Sequence, residues 1–306
     1  MKGFQSGNKI FMSKTSVPVN CFARSGPAIG TFGLAKRPKA SNVAADSKGA
    51  KYMKKSNNDF FDSLDLIDQE MEEYIPYVLQ DLWELGSIPE YIYLLIDKYA
   101  DKKRINKIID FGCGKGAVLI YLAARLDFLG LGIDIVPEFI ESARQHAIEN
   151  SVNNKIEFKA DDILKCIDTN VKYDVVIYGY DSGILGDVNE TILKLKNSLH
   201  DSGFLVLEIA FTKDSKNKIE GLPTEKELKK QIDQSGLTVL DRILWDVDKI
   251  TKINEQNNKF INNRIQELIV KHPEKKQIFK KYMDNQIEEC KLIEYEMICS
   301  TWILKN

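Results

Sequence analysis

One strand-to-helix junction limits most strongly what this chain can fold into. An apolar run, Lys107–Phe111, leads into three alternating glycines, Gly112, Gly114 and Gly116, and then into a helical pattern that begins at Val118. Glycine permits a positive φ and lets the backbone approach a ligand closely. A helix N-terminus offers unpaired N–H groups at the same place. The junction therefore predicts a buried strand, a ligand-binding turn and a helix, as at the start of an α/β domain.

Strand-like and helical runs alternate from this junction onward. Strands are predicted at Lys107–Phe111, Leu129–Asp134, Lys155–Lys159, Tyr173–Tyr178, Gly203–Ala210, Leu237–Trp245 and Ile298–Leu304. Two helix starts are indicated by a cap residue followed three places later by a carboxylate, at Asp187 with Glu190 and at Thr224 with Glu227. Gly236 suits the end of the second of these helices. Such alternation favours a mostly parallel sheet with helices on both faces.

Two helical regions lie outside the alternation. The pattern is helical from Asn58 to about Ala100, with apolar residues three and four apart from Ile75 to Leu85. Residues 86–89 interrupt it, and Pro89 suits the first turn of a second helix, Glu90–Lys98. Residues 246–297 carry charged helical sequence, which Pro273 divides into helices near residues 250–271 and 274–297. This insertion is either a decorating pair with a solvated face or a cap over the functional site.

Charge is distributed unevenly along the chain. Residues 1–56 carry eleven Lys/Arg and one acid, whereas the remaining 250 residues carry 32 basic and 44 acidic side chains. An acidic body repels phosphate backbones, so a nucleic-acid partner is disfavoured. No apolar run is long enough to span a membrane. The five cysteines and three histidines show no metal-ligand spacing, so we expect no metal site.

Residues 1–56 have the composition of a tail, rich in Gly, Ser, Ala, Pro and Lys without a helical or alternating pattern. We predict a disordered leader. An organellar presequence is the alternative, because basic and acid-poor segments also serve that purpose. The absence of a convincing signal and the unpaired cysteines favour a cytoplasmic protein.

The region from Asp110 to Leu304 resembles the class I S-adenosylmethionine-dependent methyltransferases. Their first motif, acid-x-G-x-G-x-G, is met in full by Asp110 and the three glycines. The resemblance implies a Rossmann-like α/β fold with a seven-stranded, mostly parallel sheet in the order 3-2-1-4-5-7-6, and S-adenosylmethionine as the cofactor. It also implies a methyltransferase domain over residues 57–306. Its parts would be N-terminal helices (57–104), the core (105–245), the helical insertion (246–297) and the last strand (298–306).

Cofactor contacts are implied by the same resemblance. Asp134, at the end of the second strand, would accept bonds from the ribose hydroxyls. Asp162 would bond the adenine amino group and Ile163 would flank the ring, with Asp161 where the family usually has glycine. Asp134 and Asp162 have an alternative role as helix caps. The complete implied set is Asp110, Gly112, Cys113, Gly114, Gly116, Asp134, Ile135, Asp161, Asp162, Ile163 and Tyr178.

The methyl-transfer site is expected at the ends of the fourth and fifth strands. Tyr178, Tyr180 and Asp181 follow strand four, and Glu208 lies on strand five. We take these four as candidate catalytic residues, with Asp181 as a general base.

Two aromatic residues of the N-terminal region, Tyr77 and Trp83, could face the cationic sulfonium. Core packing is the alternative reading of both.

Three functions stay open. A methyltransferase with a small-molecule acceptor is favoured, because the body is acidic and the N/D-P-P-Y/F motif of base and amide N-methylating enzymes is missing at Gly179-Tyr180-Asp181. A protein that binds S-adenosylmethionine or S-adenosylhomocysteine without catalysis is one alternative. An NAD(P)-dependent oxidoreductase is the other, since Gly112, Gly114 and Ala117 also fit the dinucleotide pattern.

Overall fold

The computed structural model describes residues 69–167, 170–212, 219 and 222–306. The predicted leader, residues 1–56, lies outside the described residues. The strands are β1 (Lys107–Phe111), β2 (Leu129–Asp134), β3 (Ile156–Ala160), β4 (Tyr173–Gly179), β5 (Leu199–Phe211), β6 (Thr238–Leu244) and β7 (Ile298–Lys305). The α-helices are α1 (Ile75–Val78), α2 (Pro89–Tyr99), α3 (Ala117–Ala123), α4 (Pro137–Glu149), α5 (Ile163–Cys166), α6 (Ser182–Leu185), α7 (Val188–Lys196), α8 (Glu225–Gln234), α9 (Val247–Lys271) and α10 (Lys276–Tyr295).

All seven strands form one sheet in the order β3-β2-β1-β4-β5-β7-β6. The first five pair in parallel, whereas β7 runs antiparallel between β5 and β6. The predicted fold class and strand order are confirmed. The order reverses between β1 and β4, and ligands of open α/β sheets bind at the carboxyl ends of strands beside such a reversal.

Side chains of the sheet alternate between two cores. Ile177 and Val206 point to the first face, where residues of α2, α3 and α4 cover the sheet. Tyr178 and Leu207 point to the second face, which residues of α5, α7 and α8 cover. Burial on both sides explains why the central strands read as continuous apolar runs.

The helix boundaries read from the sequence are present. Asp187 accepts a hydrogen bond from Glu190 N at 2.9 Å, Thr224 accepts one from Glu227 N at 3.2 Å, and both glutamates bond back to the cap residue. Gly236 follows α8 with a φ of +74°. Both capping boxes and the glycine stop are therefore confirmed.

The insertion forms a pair of packed helices, α9 and α10. Near their junction, Phe279 packs with Met71 of the N-terminal region and Phe139 of α4. At the other end of the pair, Ile293 packs with Ala210 at the carboxyl end of β5. The insertion therefore lies against the edge of the sheet at which ligands are expected.

The helix predicted from Ile75 to Leu85 ends early. α1 stops at Val78, and residues 79–88, which we call the strap, run to α2 without helical structure. The cause lies elsewhere in the chain, because the Lys115 ammonium group donates hydrogen bonds to three carbonyl groups of the strap. Apolar spacing alone could not show that a distant lysine would take these acceptors.

Candidate active site

The three loop glycines each have a positive φ. The values are +75° at Gly112, +52° at Gly114 and +77° at Gly116, a region that side chains with a Cβ rarely adopt. At Gly116 a Cβ would also lie 2.6 Å from the ring of Phe158. The turn into α3 therefore needs glycine for its backbone conformation and, at Gly116, for space.

Asp134 is buried at the end of β2 and holds the loop in place. Its Oδ2 accepts a hydrogen bond from Gly114 N at 2.8 Å, and its Oδ1 accepts one from Val136 N at 3.0 Å, just before α4. The N–H groups of Gly112 and Cys113 donate to Ile133 O at 2.7 and 2.9 Å. Buried Asp110 on β1 lies directly before this turn. The structure thus brings the motif residues together at one edge.

Residues after β2 and β3 meet at the same edge. Asp161 N donates to Asp134 O at 2.9 Å, and the Asp161 carboxylate pairs with Lys159 at 2.5 Å. Asp162 accepts from Leu164 N at 2.9 Å and so caps α5, with buried Ile163 as the first helical residue. Asp162 is therefore a helix cap, which was the alternative role predicted for it. Its adenine contact stays a prediction.

Ile135 is a large apolar side chain left open beside these groups. It is 45% exposed although it directly follows buried Asp134. An exposed apolar surface next to a fixed carboxylate is suited to flank a ring whose sugar the carboxylate binds.

The four candidate catalytic residues do not converge. Tyr178 and Tyr180 lie in the core of the second face, and the Tyr180 hydroxyl lies 3.4 Å from Gly186 O. Gly179 pairs in register with Glu208, so both point to the first face. Asp181 is 1% exposed, just after β4. The sequence places these residues near the ends of neighbouring strands. Residues that are close at a strand end can still point to opposite faces of the sheet.

Glu208 is engaged by the protein itself. Its Oε1 accepts hydrogen bonds from Ile88 N at 3.3 Å and from the Thr301 hydroxyl at 3.1 Å, and the Ser87 side chain also bonds to it. Its Oε2 has no hydrogen-bond partner among the described residues. Burial raises the pKa of the Glu208 carboxyl to about 7, against the opposing effect of these bonds.

Two charged residues of this region were missed by sequence reasoning. Glu84, on the strap, has its pKa raised to about 8 by burial, and its Oε2 has no partner among the described residues. Lys115 lies within the glycine loop and is buried. No sequence signal marks Glu84. A lysine between two motif glycines was visible, but its acceptors lie more than thirty residues away.

The two aromatic candidates of the N-terminal region make other contacts. The Trp83 ring stacks on His146 with centroids 4.7 Å apart, and its Nε1 donates to Lys115 O at 3.2 Å. The Tyr77 hydroxyl donates to Glu267 of α9 and accepts from Lys271. These contacts are with other residues of the protein, as expected if Tyr77 and Trp83 serve packing.

Two features are absent from the described residues. No group of three or more His, Cys, Asp or Glu residues is placed there to hold a metal ion. No helix in the described ranges has both the length and the apolar character needed to cross a membrane.

Comparison with known proteins identifies the family. The family model described as a methyltransferase domain matches residues 102–285. The ribosomal protein L11 methyltransferase of Campylobacter fetus is 33% identical over 120 residues, which is 39% of this chain and 40% of the relative. The malonyl-[acyl-carrier protein] O-methyltransferase of Acetivibrio thermocellus is 37% identical over 106 residues, 34% of this chain and 36% of the relative. Both matches thus span well under half of the relative's length.

Among solved structures, the chain is similar to an S-adenosylmethionine-dependent methyltransferase from Thiobacillus denitrificans in complex with S-adenosyl-L-homocysteine. The TM-score is 0.62 and the identity 19%, with 78% of this chain and 98% of that one covered. At that identity the likeness concerns the fold. The family match covers more than half of the chain, and the strand order and glycine loop agree with it. The chain belongs to the methyltransferase-domain family, with the fold of the class I S-adenosylmethionine-dependent methyltransferases.

Proposed function

We propose that this chain transfers a methyl group from S-adenosylmethionine to a small-molecule acceptor. The observation that carries the proposal is the enclosure of the sheet edge at the ends of β4 and β5. Among the described residues, none lies within 4 Å of the place where a Cβ of Gly179 would be. Beside it, Glu208 on β5 bonds the strap, and the insertion helices pack on the end of β5. Walls on these sides suit a compact acceptor better than a polymer.

The residues at the ends of β1 and β2 fit the cofactor. Asp134 is held by two backbone N–H groups, and each carboxylate oxygen keeps a second lone pair for a ribose hydroxyl. The positive-φ glycines let a ligand approach the loop backbone. Exposed Ile135 offers an apolar surface next to the carboxylate. We propose that the predicted residues from Asp110 to Ile163 line this cofactor site; Tyr178, the last of the predicted set, is buried in the core of the second face.

Bound S-adenosylmethionine supplies a methyl group already activated on a sulfonium. The protein has to align the acceptor with that group, exclude water and take up a proton. Alignment can contribute about 7–11 kcal/mol of the barrier, and a positioned base a further factor of about 10² to 10⁴ in rate. We propose Asp181 as that base, because it is buried two residues after Gly179, the last residue of β4.

The relatives leave the acceptor class open. One is named for a ribosomal protein and another for a malonyl group on acyl-carrier protein. The charge of this chain supports the choice of a small molecule, because residues 57–306 carry twelve more acids than bases. Such a body attracts neither nucleic acid nor the phosphate groups of ribosomal RNA.

Radiolabelled methyl transfer tests the proposal. The purified protein is incubated with S-adenosylmethionine labelled in the methyl group and with three separate acceptor pools: low-molecular-weight metabolites, total protein and total RNA. We expect label in the metabolite pool. Label confined to protein or RNA would contradict the small-molecule proposal, and no transfer to any pool despite cofactor binding would favour the non-catalytic alternative.

The Asp181→Asn variant tests the proposed base. We expect it to bind S-adenosylhomocysteine as the wild type does and to lose turnover by about 10² or more. Asp201→Asn, which changes an exposed residue in the first half of β5, is the matched control. Full turnover by Asp181→Asn would remove Asp181 from the mechanism.

A further inference from the structure

The strap, residues 79–88, crosses the carboxyl edge of the sheet. Its first part is bonded to Lys115 in the loop after β1, and its last part is bonded to Glu208 near the end of β5. β4 lies between β1 and β5 in the sheet. The strap therefore passes the end of β4, where Gly179 faces open space, and borders both the cofactor loop and the acceptor side.

An ammonium group holds the first end of the strap. Lys115 is 3% exposed, and its Nζ donates to Leu79 O and Leu82 O at 2.6 Å and to Gln80 O at 3.2 Å. Three donors thus meet three carbonyl acceptors. Burial lowers the pKa of this group to about 8. A buried charge is costly unless its hydrogen bonds are complete, so the strap and the loop depend on each other here.

The middle of the strap also touches the glycine loop. Trp83 Nε1 donates to Lys115 O at 3.2 Å, and a methyl carbon of Leu85 lies 3.4 Å from the place where a Cβ of Gly114 would be. Gly114 is the residue whose N–H group bonds Asp134. The position of the strap is therefore linked to the loop that bonds Asp134, the carboxylate proposed to bind the ribose.

A carboxyl group holds the second end of the strap. Glu208 Oε1 accepts from Ile88 N and from the Thr301 hydroxyl, which in turn accepts from Trp245 Nε1 at 2.8 Å. Trp245 stands directly before Asp246, the cap residue of α9. Glu208 thus joins the strap to β7 and to the start of the insertion. This role uses hydrogen bonds to protein groups and needs no contact with a reacting atom.

We propose that Lys115 and Glu208 are positioning residues that hold the strap closed across the cofactor loop and the acceptor side, and that strap closure and cofactor binding stabilise each other. The inference rests on the cofactor site proposed above. A ligand shifts an equilibrium toward the conformation that it binds more tightly, and the conformation then raises the affinity of the ligand by the same factor. The ordered strap fixes the loop backbone at Gly114 and Lys115, so it favours the loop geometry that binds the cofactor.

Calorimetric titration with S-adenosylhomocysteine tests the inference on Lys115→Met, Lys115→Arg and the wild type. We expect the dissociation constant to rise at least tenfold in Lys115→Met and to recover in large part in Lys115→Arg, which keeps the charge and several donors. The matched control is Lys275→Met, because Lys275 also pairs with the N-terminal region, at Glu73, but lies outside the strap and the loop. Its affinity is expected to stay within twofold of the wild type.

Hydrogen exchange supplies a readout that a purely structural role would not move. Amides of residues 79–88 in the wild type are expected to exchange at least tenfold more slowly when S-adenosylhomocysteine saturates the protein. This measurement decides the matter even if Lys115→Met does not fold. Unchanged exchange, or a folded Lys115→Met that binds within twofold of the wild type, would overturn the coupling while the cofactor site stands. A wild type that does not bind S-adenosylhomocysteine would overturn both.

Discussion

The two halves of the carboxyl edge are built in different ways. At the ends of β1 and β2, the site consists of backbone groups and one carboxylate, and the Asp134 carboxylate bonds N–H groups no more than twenty positions away. At the ends of β4 and β5, it consists of side chains from distant segments, since Glu208 meets Ile88 and Thr301. The first half suits a ligand common to a family. The second half can differ with the acceptor, and the strap connects the two halves.

The largest effect is expected from Gly116→Val in the cofactor half. The residue has a φ of +77°, and a Cβ would lie 2.6 Å from Phe158. We expect the variant to lose measurable binding of S-adenosylhomocysteine and about 4 kcal/mol of unfolding free energy, because strain and overpacking act together. Calorimetry and urea unfolding check this. A variant with wild-type affinity would show that the loop does not set the cofactor site.

The second largest effect is expected in the pH dependence of stability that Glu208 causes in the acceptor half. Burial raises the pKa of Glu208 from its ordinary value of 4.5 to about 7, so the folded state binds more protons than the unfolded state between these values. Stability from this group is present below about pH 4.5 and is lost as the pH rises through 7. Relative to Glu208→Gln, the wild type should therefore lose about 3 kcal/mol between pH 4.5 and pH 8.

Urea unfolding of both proteins at several pH values measures that difference. Glu84 has a pKa raised in the same direction, so the wild-type curve alone does not isolate Glu208. The difference between wild type and Glu208→Gln does. A difference that is constant over this pH range would mean that the Glu208 carboxyl titrates normally in the folded protein.

The smallest effect is expected from Gly179→Ala, which matches Gly116→Val in the other half. A Cβ at Gly179 would meet no atom of the residues that the structure describes within 4 Å. Stability and affinity for S-adenosylhomocysteine should change by less than about 1 kcal/mol. Methyl transfer to the acceptor should change more than either, because the added methyl group enters the proposed acceptor space. A large loss of stability would show that this space is filled in the folded protein.

The backbone conformation of the glycine loop could be predicted from the sequence for a physical reason. Residues 110–116 carry their function in their own backbone conformation, and three alternating glycines after a strand leave few other conformations. Strand order followed from the family resemblance and is confirmed. The roles of the individual cofactor residues stay predictions.

The acceptor half could not be predicted in the same way. The spacing from Ile75 to Leu85 is helical, yet Lys115 draws the carbonyl groups of residues 79, 80 and 82 out of a helix. Successive residues of β4 point to opposite faces of the sheet, so Tyr178 lies on the face opposite to the one that Gly179 and Glu208 share. Lys115 and its acceptors lie more than thirty positions apart, and Glu208 and Ile88 lie 120 positions apart. Contacts over such separations leave no local pattern in a single sequence.

Calorimetric titration with S-adenosylmethionine, S-adenosylhomocysteine and NADH, on the wild type and on Asp134→Ala, tests the central claim most directly. Asp134→Ala removes the acceptor of the Gly114 and Val136 N–H groups together with the proposed ribose contact. The account predicts micromolar binding of the first two ligands by the wild type, at least a hundredfold weaker binding by the variant, and no binding of NADH. Binding of NADH alone, or equal binding of S-adenosylmethionine by both proteins, would contradict it.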